Sequence, residues 1–324
     1  MPRGKPASGI SAFAALCQYL FFTATKHWTV FWLRLNRFLV APGYLQRAAT
    51  PTAHKVVMVG DGFAEGLGDW VTFCTNAGLA RRLANAVKSD SFGVRQIRHR
   101  WWYLNRGATS STSAEWVPGA VGEGGEKPAA PSKSRFDALF GKRSGAADLS
   151  VAVVMLGSVD AMRGRLGLPL AALSRAWDGK VPFPQEELAD TTRNIVSVCE
   201  GFRARGVRVV LCDIAPPAAE PQKNLGEVRR VNRQLADYVA ATAAAVEADK
   251  KATPAVTLVK LSDHRLQRFD QHIGYDKIHF SAAGYKKLAS LMADDLGNVL
   301  RACEWEMWKG ALSGSGGGTK AKAK

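Results

Sequence analysis

VVMVGDGFAEGLGD, Val56 to Asp69, is the stretch on which the reading of this chain turns. A short β-branched run breaks at Gly60-Asp61-Gly62 and gives way to residues at helical spacing. Such an apolar run, closed by glycine, reads as a strand buried on both faces. A strand that passes through a glycine turn into a helix is the first half of a parallel β-α-β unit. In open parallel sheets ligands bind beyond the carboxyl ends of the strands, so this turn stands where chemistry is expected. Its third residue, Gly62, carries no side chain.

Working outward, strand-like and helix-like stretches alternate. Apolar runs at 55–60, 94–103, 149–157, 207–214 and 255–261 predict five strands. Stretches 68–88, 185–205, 225–251 and 281–301 keep helical period, and the Gly/Pro-rich residues 118–131 read as a long surface loop. The pattern predicts an α/β fold of three layers, α/β/α, with a mainly parallel five-stranded sheet of the flavodoxin-like kind, helices covering both faces.

Composition bounds the function. The chain has 324 residues, 47% of them hydrophobic, and a formal net charge of +16. Residues 1–60 hold seven Lys/Arg and no Asp or Glu, and residues 309–324 hold four lysines and no acid, which leaves +5 for the stretch between. The folded middle is only mildly basic, whereas a nucleic-acid-binding domain carries its charge on the fold. The cations and aromatics of RHRWWYLNR (98–106) lie on or beside a strand and are expected to pack inward, so nucleic acid is the less favoured partner. KSRFDALFGKR (133–143) reads as a solvated helix face. The five cysteines are scattered without a CxxC pair, which points to a reducing compartment and to no metal site. GDGFAEGLGD lacks the Lys-Ser/Thr ending of a phosphate loop, so no cofactor is expected.

Three regions follow: a basic, aromatic N-terminal segment (1–54), one domain (55–303) and a disordered, lysine-tipped tail (304–324). Ile10 to Thr25 is sixteen residues without a charge, short of the ~20 of a spanning helix. WTVFWLRLNRFLV (28–40) then mixes cations and aromatics as interfacial helices do. Residues 10–40 are therefore expected to contact a membrane surface or a membrane-protein assembly, or to serve in organelle targeting, mitochondrial above all. A basic arm packed on the protein itself, in a cytoplasmic chain, is the alternative.

Four short blocks carry the chemistry: Gly60-Asp61-Gly62-Phe63, Asn105-Arg106-Gly107-Ala108-Thr109-Ser110-Ser111-Thr112, Gly157-Ser158-Val159-Asp160, and Asp276-Lys277-Ile278-His279. Their order and spacing resemble the SGNH hydrolases, the GDSL esterase/lipase family, over roughly residues 55–303. The resemblance implies the fold just described and an ester-cleaving site. In that family a serine after Gly-Asp attacks the carbonyl, a glycine and an asparagine help hold the oxyanion, and an Asp and a His three residues apart complete the site. A serine hydroxyl attacks only when a base takes its proton, and the developing oxyanion needs preorganised donors.

Carried over residue by residue, the nucleophile's position is Gly62, the oxyanion glycine is Ser110, the oxyanion asparagine is Val159, and the acid and base are Asp276 and His279. The dyad is kept, while the attacking hydroxyl and the amide donor are not. The resemblance thus implies a degenerate member: a non-catalytic binding or scaffold protein, at a membrane or in a larger organellar assembly, with room for a small-molecule or lipid ligand. Two alternatives stay open. One is an active hydrolase of lipid or carbohydrate esters, using His279 and Asp276 with water or a substitute serine (Ser110, Ser111 or Ser158). The other is a basic component of a ribonucleoprotein particle. Gly62 also has a plain explanation, since a tight turn accepts glycine readily, and Asp276 with His279 can simply fasten the last loop to the sheet.

Overall fold

The computed structural model describes residues 54–66, 79–88, 97, 101–109, 111–119, 134–141, 149–161, 185–215, 225–249, 254–262, 269–272 and 279–315, and six isolated positions before residue 54. Those six, Cys17, Leu20, Ala24, Trp28, Phe31 and Leu35, are all helical. In chain order the elements are β1 (His54–Gly60), α1 (Gly62–Glu65), α2 (Leu79–Lys88), β2 (Trp101–Asn105), a 3-10 turn (Ser113–Trp116), α3 (Arg135–Phe140), β3 (Leu149–Met155), α4 (Ser158–Ala161), α5 (Gln185–Arg203), β4 (Arg208–Cys212), α6 (Leu225–Ala248), β5 (Thr257–Val259), α7 (Phe269–His272) and α8 (Ala282–Ser315).

The five strands form one sheet in the order β2-β1-β3-β4-β5. Every pairing is parallel, and the order is the flavodoxin-like one. Alternation along the strands sends side chains to two separate cores. Val56, Met58, Val151, Val153 and Met155 face α2 and α8. Val57, Val59, Ala152, Val154 and Leu156 face α5 and α6. Both faces are dry, which is why the strands read as unbroken apolar runs.

Phe136 and Phe140 of α3 close the second core against Phe202 of α5, with ring centroids 4.8 and 5.1 Å from it. The short helix at 135–140 thus has a solvated side, as expected, and a buried aromatic one. The indoles of Trp101 and Trp102 are buried, so β2 presents them inward and offers no stacking platform.

Two boundaries differ from expectation. β2, Trp101–Asn105, overlaps the 94–103 stretch and runs two residues past it; its register is fixed by pairing His54 with Trp101 through Met58 with Asn105. The tail expected from residue 304 is instead helical as far as Ser315. The reason is a set of contacts that periodicity could not reveal. Glu304 is buried and accepts a hydrogen bond from the Trp101 indole at 3.0 Å, Glu306 pairs with Arg208 at 2.5 Å, and Met307 packs on the core. Residues 67–78, where the first half of the 68–88 helix was expected, lie outside the described residues, as do 120–133 and 316–324. Among the described residues no helix is long and apolar enough to cross a membrane.

Candidate active site

The carboxyl ends of β1 and β3 are held together by one carboxylate. Asp61 is fully buried. Its Oδ1 accepts the Phe63 N–H at 3.0 Å and so caps α1, and its Oδ2 accepts the Ser158 N–H at 3.1 Å. Burial pushes the Asp61 carboxyl up to about 6, against the opposing pull of the Phe63 N–H, the His279 charge and the Ser158 bonds. Gly60 makes the approach of the two turns possible: its φ is +150°, and a Cβ there would stand 1.9 Å from the Met155 carbonyl oxygen.

The second block is fastened from beneath. The Arg106 and Ala108 N–H groups donate to the carbonyls of Met58 and Gly60 at 2.7 and 2.8 Å. Glu65, only 1% exposed, accepts the Thr109 N–H at 2.5 Å and also the Thr109 hydroxyl. Asn105 donates to the Glu65 carbonyl and accepts the Gly107 N–H, both at 3.0 Å. Nothing in the sequence pattern marked Glu65 for this role. Its only signal is that it is the one acid between Asp61 and Asp69.

The third block enters α4 through Gly157, with φ +101°. Val159 is buried there, and Asp160 accepts from the Ser113 N–H at 2.9 Å and its hydroxyl at 3.1 Å. The fourth block brings in His279, which is 3% exposed. Its ring lies 4.8 Å, centroid to centroid, from Phe63, the neighbour of Gly62. Phe280 meets the same Phe63 ring edge-on at 5.2 Å.

The structure therefore gathers Gly62, Val159 and His279 at one end of the sheet, around Asp61. Ser110 and Asp276 lie outside the described residues. Of the substitute serines, Ser111 is committed elsewhere. Its hydroxyl donates to the Ala108 carbonyl at 2.7 Å and accepts the Trp116 indole N–H at 2.9 Å. Ser158 stands within the cluster, its backbone N–H on Asp61. Among the described residues no group of three or more His, Cys, Asp or Glu is arranged to hold a metal.

Comparison with known proteins agrees with this geometry. The sequence model of the family GDSL-like lipase/acylhydrolase matches residues 56–292. No curated protein matches the chain. Among solved structures, the lipase Lip_vut3 from a goat rumen metagenome is 11% identical, with 74% of this chain and 95% of that one covered at a TM-score of 0.50. The lipase/acylhydrolase from Enterococcus faecalis is 17% identical, covering 76% of this chain and 96% of its own at a TM-score of 0.43. The psychrotrophic esterase EstA from Pseudoalteromonas is 14% identical, with 76% and 98% covered and a TM-score of 0.45. The likeness to Lip_vut3 is one of fold. With the family model spanning well over half of its length and the blocks gathered at the strand ends, this chain belongs to the GDSL-like lipase/acylhydrolase family.

Proposed function

We propose that this protein is a non-catalytic member of its family that binds a ligand or partner, tethered through residues 10–40 to a membrane surface or a membrane-associated assembly of an organelle. The observation that carries the first part is the glycine at the head of α1. Gly62 stands where the family places its attacking hydroxyl, and Val159, which has no donor, stands in place of the asparagine. Loss of one oxyanion donor costs ~10²–10³ in rate, and without a nucleophile no acyl-enzyme forms. The tether is supported by the acid-free, basic composition of residues 1–60 and by the exposed apolar side chains of Leu20, Trp28 and Phe31.

One observation favours a second reading, an unorthodox esterase. Ser158 is held against Asp61 through its backbone N–H, and that carboxyl also feels the charge of His279, so a serine, an acid and a base share one cluster. Incubation with a chromogenic short-chain ester and a fluorophosphonate probe separates the two. The non-catalytic reading expects neither turnover nor labelling. Turnover abolished by His279→Ala, or labelling abolished by Ser158→Ala, would establish the esterase instead.

A further inference from the structure

The end of α8 carries an exposed aromatic patch that the family's site does not use. Trp305 and Trp308 are each 53% exposed. Their rings stack at 4.9 Å between centroids, 27° from parallel, and the Lys309 ammonium lies 5.1 Å over the Trp305 ring. The adjoining residues are fixed to the fold. Glu304 holds the first residue of β2 through the Trp101 indole, and Glu306 holds the first residue of β4 through Arg208. The patch is thus presented by a braced helix, at the amino ends of the strands.

We propose that Trp305, Trp308 and Lys309 form a docking surface for an anionic phospholipid bilayer. The argument is one of chemistry and charge. Tryptophans sit at the level of lipid headgroups, apolar body inward and indole N–H in water, and neighbouring cations add attraction to anionic lipid. Glu306 is the last acid in the chain and is paired with Arg208, whereas Lys309, Lys320, Lys322 and Lys324 follow with no acid among them. The same combination recurs before β1, where the exposed Trp28 and Phe31 rings stack at 6.2 Å within an acid-free stretch.

The placement has a consequence for the candidate site. α8 runs from the His279 turn at the carboxyl ends of the strands to Trp305 at their amino ends, a helical rise of about 35 Å. A bilayer docked at the patch therefore meets α8 at the opposite end from the candidate site. The inference rests on the membrane reading above and adds a second contact to it.

The test is co-sedimentation of the full chain with vesicles of phosphatidylcholine alone or mixed with phosphatidylglycerol. Wild type is expected to bind the mixed vesicles, less so in high salt. Trp305→Ala/Trp308→Ala lowers the partition coefficient about tenfold or more, Trp305→Phe/Trp308→Phe recovers most of it, and Lys309→Glu reduces it severalfold. Lys309→Glu leaves the buried contacts of α8 untouched and decides the matter if the alanine pair fails to fold. Unchanged binding by these variants, with wild type bound, overturns this surface alone and leaves the N-terminal tether standing. A wild type that binds neither vesicle overturns the tether as well. Vesicle binding unchanged while the alanine pair alters sedimentation of the protein by itself assigns the patch to self-association and overturns the proposal.

Discussion

Asp61 accepts the Ser158 N–H at 3.1 Å across 97 residues of sequence, and with its own N–H on the Met155 carbonyl this bond ties the turn after β1 to the turn after β3. The carboxyl that makes it is held up to about 6 by burial, above its ordinary 3.8. In the unfolded chain it ionises near 3.8, so between that value and about 6 the folded state holds the extra proton and stability falls as pH rises. The contribution amounts to about 3 kcal/mol, present in full below the unfolded value and lost above about pH 6. Asp61→Asn removes the titration but opposes its amide N–H₂ to one backbone donor, a cost of about 1–3 kcal/mol. Urea unfolding of both proteins from pH 4 to 7 is expected to show a difference between them that shrinks as pH rises.

Gly62→Ser should restore weak fluorophosphonate labelling if the cleft still has its family geometry, because His279 lies against the neighbouring Phe63. Adding Val159→Asn supplies the missing amide donor and raises the labelling rate by about 10²-fold. Both gains disappear with His279→Ala. A double variant that stays inert would show that the cleft has lost more than two side chains.

Glu65 is a positioning residue for the second block. Glu65→Ala removes the acceptor of the Thr109 N–H and hydroxyl, and stability is expected to drop by about 2–3 kcal/mol. Glu65→Gln keeps one acceptor oxygen and costs about 1 kcal/mol. Thr109→Val combined with Glu65→Ala should be clearly less than additive, since both remove the same bond. Denaturation midpoints at constant m-value read all three.

Ser111→Ala strands the Trp116 indole N–H, which is buried with its ring. The expected loss is about 1–3 kcal/mol. Labelling of the Gly62→Ser variant by the probe is expected to be unaffected, which would mark Ser111 as structural and remove it from the substitute nucleophiles.

Much of this was legible from the residues. β1, β3 and β4 are buried on both faces, so their β-branched runs stand out, and the Gly-Asp-Gly break places the turn correctly. The bounds of β2 were less legible, because Trp101 and Trp102 are large and flanked by cations and only pairing with β1 fixes the register. The extension of α8 was illegible because it depends on Glu304 finding an indole 203 residues away. At the site, Gly62, Val159 and His279 were placed by motif order, and the structure gathers them. Glu65 was not, since a buried acid that meets a threonine 44 residues away leaves no periodic trace. Asp276 and Ser110 lie outside the described residues, and their roles stay those the resemblance implies.

The partners of Asp61 include the amides of residues 63 and 158, and neither bond involves the side chain at 62 or 159. The bonds that join the two turns therefore do not depend on what those two positions display. The joint between the first and third strands can thus persist while the side chains beside it vary.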